Sequence, residues 1–77
     1  MDIQHFIRVI EEEFEDIKPG SLQPESDFRK EFEFTSVNAL VMMSLINVEY
    51  DVMITADDLR KCYTVSDLFN TVKSKAS

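Results

Sequence analysis

One glycine, two prolines, one cysteine and no tryptophan occur in 77 residues, and each scarcity excludes something. A glycine-rich phosphate loop cannot be built around Gly20 alone. Cys62 cannot form an internal disulfide, which fits a reducing compartment. Pro19, Gly20 and Pro24 cluster together, so the sequence offers no interdomain linker, low-complexity tract or repeat. Long apolar runs are missing as well. Ala39 to Ile46 is interrupted by Ser44 and falls far short of a bilayer span, which argues against membrane insertion. Asp2, Arg8 and the acidic run after them do not read as a signal peptide. Positive charge is scarce too. Eight bases against fifteen acids give a net charge of −7, a field that repels a phosphate backbone and disfavours nucleic acid as a ligand. A chain this short buries roughly 60% of its surface on folding, which leaves no room for two lobes or a bound dinucleotide. We expect one small, acidic, cytoplasmic domain over residues 1–77.

What is present is helical periodicity. Ile3, Phe6, Ile7, Ile10, Phe14 and Ile17 recur at three- and four-residue spacing, predicting a helix from about Asp2 to Ile17. Asp2 can cap it and Pro19-Gly20 can end it. Residues 18 to 35 carry no long period. Leu22, Phe28, Phe32 and Phe34 can anchor this stretch, with a short helical turn around Asp27 to Glu31. A second long helix is expected from Ser36 to about Tyr50. A short third helix opens at Thr55 with Asp58 three residues on. A fourth begins at Thr64 with Asp67 three residues on, then carries Val65, Leu68, Phe69 and Val72. Both openings resemble capping boxes with Asp in place of Glu. Val52 and Ile54 suggest an extended loop end and not a strand. The predicted fold is all-α, a small bundle of three long helices and one short one.

Charge is unevenly placed. Residues 1–33 hold ten acids and four bases, whereas residues 34–77 hold five acids and four bases. Glu11, Glu12, Glu13, Glu15 and Asp16 crowd the C-terminal part of the first helix, where the macrodipole disfavours negative charge. A solvated face that keeps the protein soluble is the first reading. A docking surface for a basic partner is the second, and a divalent metal is disfavoured because no EF-hand pattern is present. The second helix is the opposite case. From Phe34 to Tyr50 its one charged residue is Glu49. At about 100° per residue, Ala39, Met43, Ile46 and Tyr50 share one face, while Val37, Val41 and Val48 fall nearly opposite, beside Ser44. So small a bundle cannot cover both sides. The valine strip is therefore expected to meet a partner, with self-association as the lesser alternative and a monomer favoured.

Catalytic constellations are weak. His5 is the one histidine and reads as a surface or edge residue. Cys62 has no neighbouring His and no Cys-x-x-Cys companion, so a buried, inert thiol is expected. The carboxylates lie along one helix, not in a suggested pocket. We expect no catalytic residue and no metal. Ser36 reads first as the N-cap of the second helix. Thr35 could cap equally well, which would free the Ser36 hydroxyl in the positive field at a helix N-terminus, a setting that favours an attached phosphate.

Residues 26–54, SDFRKEFEFTSVNALVMMSLINVEYDVMI, followed by TADDLRKCYTVSDLFNTV, resemble the acyl carrier proteins. The match lies in the order of Ser-x-Phe, an acid and a large apolar residue before Ser36, an apolar helix ending in an aromatic, and Thr64-Val65-x-Asp67-Leu68 before the last helix. With the first helix it covers nearly the whole chain. The resemblance implies a four-helix bundle of acyl-carrier type with no catalysis of its own. It implies covalent 4′-phosphopantetheine on Ser36, placed there from coenzyme A by a phosphopantetheinyl transferase. Acyl groups would then ride as thioesters between acyl-transferring and chain-elongating enzymes of fatty-acid or related lipid or polyketide synthesis. By the same resemblance, Leu40, Met43, Ile46, Ile54, Leu59 and Cys62 would line the acyl pocket. Thr35, Val37, Val41 and Val48 would meet partners.

Two departures carry consequences. The family usually reads Gly-x-Asp-Ser-Leu where this chain reads Glu33-Phe34-Thr35-Ser36-Val37. Thr35 thus replaces the Asp that helps the transferase and its metal ion, which implies slower modification or a dedicated transferase. Asn38, Val41, Asn47 and Val48 stand where the family often carries acids, which implies docking through apolar contact and shape. Two rivals remain: a stand-alone aminoacyl (peptidyl or D-alanyl) carrier, and a carrier-like interaction module that is never modified.

Overall fold

The computed structural model describes residues 2–27, 30 and 35–76. Four helices lie among them: α1 (Ile3–Glu13), α2 (Ser36–Tyr50), α3 (Ala56–Lys61) and α4 (Val65–Ala76). No strand occurs among the described residues, and one isolated bridge joins Asp27 to Thr64. The expected all-α bundle is what the chain forms. The anchors assigned to Phe28, Phe32 and Phe34 lie outside the described residues. Of the turn expected over 27–31, Asp27 and Lys30 alone lie inside them.

Helices α1 and α4 bury the apolar stripes that their periodicity announces, whereas α2, apolar nearly all round, buries Ala39, Met42 and Ile46 and leaves Met43 and Tyr50, expected on that face, half-buried. Phe6, Ile7 and Ile10 from α1 meet Ala39, Met42 and Ile46 from α2, Leu59 from α3, and Val65, Leu68, Phe69 and Val72 from α4. Val52 and Ile54 point inward from the α2–α3 connection while Met53 between them is 76% exposed, the period of extended chain. Full burial of one such aliphatic side chain stabilises the fold by about 1.5–3 kcal/mol. At one end of the core an aromatic cluster closes the bundle. Phe6 lies 5.4 Å from Phe69 and 5.8 Å from Tyr50 between ring centroids.

Helix α1 is shorter than its apolar stripe. Its last bond runs from the Phe14 N–H to the Ile10 carbonyl, and Phe14 is already extended. Three consecutive acids, Glu11 to Glu13, occupy the negative end with no base in the last turn, which weakens further propagation. Ile17 still reaches the core, but from a turn. Glu11 also departs from the solvated face expected of it. It is buried and accepts the Gly20 N–H at 2.9 Å and the Leu22 N–H at 3.0 Å. This carboxylate, together with buried Leu22, ties the connection down. Gly20 has φ +84, a conformation that glycine reaches at no steric cost.

Helices α3 and α4 open as the capping pattern predicts. Thr55 accepts the Asp58 N–H while Asp58 accepts the Thr55 N–H. Thr64 and Asp67 do the same. Lys75, near the end of α4, reaches Asp58 at 2.9 Å and joins the two helices. The Val65 and Ser66 N–H groups donate to the Ser26 and Pro24 carbonyls, so the incoming connection docks on the start of α4.

Candidate functional site

The start of α2 settles which residue caps it. Thr35 is extended, its Oγ1 accepts the Asn38 N–H at 3.1 Å, and its carbonyl accepts the Ala39 N–H at 2.9 Å. Ser36 is therefore the first residue of the helix and not its cap, a correction to the first reading of that position. The reason is local. The cap must be extended to turn its oxygen back on the first turn, and Thr35 is the residue that adopts this conformation. Ser36 is exposed at the head of α2, and among the described residues its hydroxyl makes no hydrogen bond. No group there accepts from the Ser36 and Val37 N–H either. No acid occupies the cap or first turn of α2, whereas α3 has Asp57 and Asp58 and α4 has Asp67. A phosphate at Ser36 would thus meet unclaimed N–H donors and an uncompensated positive helix end. The residues present fit such a group.

Below Ser36, the outer side of α2 is open. Val37 is 68% and Val48 83% exposed, Ser44 is exposed and Val41 half-buried, so the strip expected to face a partner does face outward. Leu40 departs from the pocket lining assigned to it. It is 63% exposed and turns to the outer side. The cause is angular: three residues on from Val37, it falls on the flank of the valine strip and away from Ala39, Met42 and Ile46. Leu40, Val41, Ser44, Leu45, Val48 and Glu13 line a shallow open groove of about 430 Å³ between α1 and α2. Leu45 was not among the residues singled out from the sequence, whereas Ser44 was placed beside the valine strip and Glu13 in the acidic face of the first helix. The spacing 41, 45, 48 carried the signal for Leu45. Nothing in the sequence placed Glu13 across from it.

The remaining lining candidates come together. Ile46, Ile54, Leu59 and Cys62 are buried in one core, and Met43 packs half-buried against it. The Cys62 thiol donates to the Asp58 carbonyl at 3.1 Å, as an inert buried thiol would. Met42 is fully buried, while Met53 stays outside with its sulfur accepting from the Asn47 amide at 3.1 Å. His5 is exposed at the far end of α2, with Nε2 3.3 Å from Glu49. Beside it the Tyr50 hydroxyl is buried without a hydrogen-bond partner among the described residues. Burial first, and then the charges of Glu49 and Asp2, raise its pKa above the usual tyrosine value. Among the described residues no group of three His, Cys, Asp or Glu is placed to hold a metal ion, and no helix is long and apolar enough to cross a membrane.

The model of one protein family, the phosphopantetheine attachment site, matches residues 4–72. The chain belongs to this family, and so is a carrier domain that bears 4′-phosphopantetheine covalently. Carriers of this kind work with a phosphopantetheinyl transferase and with the enzymes of a synthase. No curated protein matches the chain.

Proposed function

We propose that Ser36 is the attachment residue and that the domain, residues 1–77, carries acyl intermediates in fatty-acid or related lipid or polyketide synthesis, in the cytoplasm and without catalysis of its own. One observation carries the assignment of Ser36. Thr35 does the capping, so the Ser36 hydroxyl stands exposed at the positive end of α2 with no structural duty. Loading makes one bond, from Ser36 Oγ to the pantetheine-side phosphorus of coenzyme A. It breaks the phosphoanhydride to the adenosine part, which leaves as the bisphosphate, and the serine proton passes to the transferase. The attached arm supplies a terminal thiol that holds cargo as a thioester. The chain's own residues orient the phosphate at the head of α2, keep the attachment point in solvent, and present Val37, Val41 and Val48 to client enzymes.

The character of the core supports an acyl cargo. Met43, Ile46, Ile54, Leu59 and Cys62 offer aliphatic and sulfur surface, which suits a hydrocarbon chain better than an aminoacyl group. The test is intact-protein mass spectrometry after incubation with coenzyme A and a broad-specificity transferase. The expected result is a gain of one phosphopantetheine that Ser36→Ala abolishes. A gain that survives Ser36→Ala would overturn the assignment. With no gain, the protein purified from its own source decides: a chain without the arm there is the unmodified module.

A further inference from the structure

Helix α1 borders a second hollow, in which Ser36 and the valine strip take no part. Gln4, Ile7, Arg8, Glu11 and Glu12, three or four residues apart along the helix, face the 19–23 connection across a cleft of about 530 Å³, a volume within the range of small-ligand sites. Its floor is apolar, since Ile7 and Leu22 are buried. Its charged groups are unpaired. Glu11 is 9% exposed, and its Oε2 accepts the Gly20 and Leu22 N–H groups, but Oε1 has neither a hydrogen bond nor an ion pair among the described residues. Oε1 is also reachable, because the Tyr50 hydroxyl is the one enclosed side-chain oxygen or nitrogen without a partner among the described residues. Arg8, the one arginine or lysine of α1, is exposed and forms no ion pair there, although Glu11 and Glu12 follow it three and four residues on. A base N-terminal to an acid is the weaker order for such pairs, which leaves both charges open to a ligand.

From this we infer that the cleft binds a free α-amino acid with an aliphatic side chain. A lone anion would meet Glu11 and Glu12, and a lone cation would meet Arg8. A zwitterion answers both. Its ammonium, with three donors and no acceptor, serves Glu11 Oε1 and the Glu12 carboxylate. Its carboxylate lies on the Arg8 guanidinium, whose paired N–H groups match a carboxylate edge. The side chain rests over Ile7 and Leu22. Glu11 already holds the Gly20 and Leu22 N–H groups, so a ligand on its other oxygen ties α1 more firmly to the connection and stabilises the folded chain by mass action. The site does not depend on the carrier reading, since no group of the attachment end enters it.

The probe is L-leucine, titrated into the full chain and followed by backbone amide shifts. The shifts should saturate and centre on residues 4–12 with Gly20 and Leu22. Leucinamide lacks the carboxylate and N-acetylleucine lacks the ammonium, and each should bind about tenfold or more weakly. Glu11→Gln is the sharpest variant. Its amide oxygen can keep both backbone N–H groups, while its NH2 puts a donor where Oε1 accepted. It should weaken leucine about tenfold or more, and Arg8→Gln about three- to tenfold. Glu25→Gln, at an exposed position outside the cleft, should leave affinity unchanged. The Gly20 and Leu22 amides of ligand-free Glu11→Gln report whether the clamp survives. Where it does not, Arg8→Gln and the two analogues carry the test. Shifts that do not saturate or that centre elsewhere would overturn the proposal. Equal binding of leucine and either analogue, or equal losses from Arg8→Gln and Glu25→Gln, would overturn it too.

Discussion

In α3 and α4 the helix ends are charged as the dipole prefers. Asp57, Asp58 and Asp67 occupy first turns, and Arg60, Lys61, Lys73 and Lys75 occupy last turns. In α1 and α2 the same positions are neutral or of the wrong sign. Acids fill the last turn of α1, no acid lies in the first turn of α2, and no base closes its end. Each favourable end charge contributes about 0.3–1 kcal/mol, so the α1–α2 half forgoes a measurable share of a small domain's stability. Two of the ends that forgo it, the last turn of α1 and the first turn of α2, border Ser36 and the groove below it, and the third, the end of α2, lies at the opposite end of that helix beside His5. The helix ends of the α3–α4 half are compensated within the fold, and those of the α1–α2 half are not.

Substitution at the two hydroxyls that open α2 gives the widest separation. Ser36→Ala should abolish loading while changing stability by less than about 0.5 kcal/mol, the usual range of an exposed position without a structural partner. Thr35→Ala should instead cost about 1 kcal/mol through the lost cap. Urea denaturation of both variants, alongside mass spectrometry, measures each effect. If Ser36→Ala proved the more destabilising of the two, Ser36 would be a structural residue after all.

Thr64 and Asp67 offer the matching experiment in the other half. Asp67→Ala removes a carboxylate that accepts the Tyr63 and Thr64 N–H groups. It should cost about 1 kcal/mol with loading intact. At the contrary end, Glu12→Lys together with Glu13→Lys should raise stability by about 0.3–1 kcal/mol, since it repairs the end of α1. A loss of stability there would mean that the two acids serve the fold, and the comparison between halves would collapse.

Much of this was legible in the sequence because helices announce themselves by period and by caps. The stripe from Ile3 to Ile10, the Thr-x-x-Asp openings and the apolar α2 from Ser36 to Tyr50 depend on neighbours three or four residues away. What was not legible depends on distant chain segments. Glu11 looked like one more surface acid because its two partners, Gly20 and Leu22, lie across a turn. Leu40 looked like lining because its side of α2 is fixed by how the bundle covers that helix, not by its own hydrophobicity. The end of α1 was misplaced by four residues because Phe14 and Ile17 keep the stripe going after the helix has stopped. For the site, the ambiguity between Thr35 and Ser36 was visible, but backbone conformation was needed to resolve it.

Acid should distinguish the halves as well. Asp58 is held below its ordinary pKa of 3.8 first by its hydrogen bond with Lys75 and then by the Thr55 N–H. Asp67 is held below 3.8 by the Thr64 and Tyr63 N–H groups. Depressed folded-state values mean that the stabilisation is complete above the unfolded value and is lost as pH falls through the lower folded ones. Stability should therefore decline below about pH 4. Asp58→Asn with Asp67→Asn should flatten part of that decline, as followed by urea midpoints between neutrality and strong acid. Asp67 is exposed and Asp58 is only half-buried, so screening keeps the effect small. An unchanged slope would show that the two boxes do not contribute to the acid response.

The smallest effect bears most directly on why α2 begins without a carboxylate. If its positive end is left for the phosphate of the arm, attachment at Ser36 should stabilise the fold, by about 0.3–1 kcal/mol, as an anion near a helix N-terminus does. Asn38→Asp places an acid where α3 has Asp58 and α4 has Asp67. It should stabilise the unmodified protein by a similar amount. The two gains draw on one positive end and their charges repel, so they should not add. Comparing stability before and after loading, with Asn38 and with Asp at that position, closes a double-mutant cycle whose coupling is unfavourable. Additive gains would mean that the phosphate does not draw on the helix end, and that the neutral start of α2 answers to the docking enzymes alone.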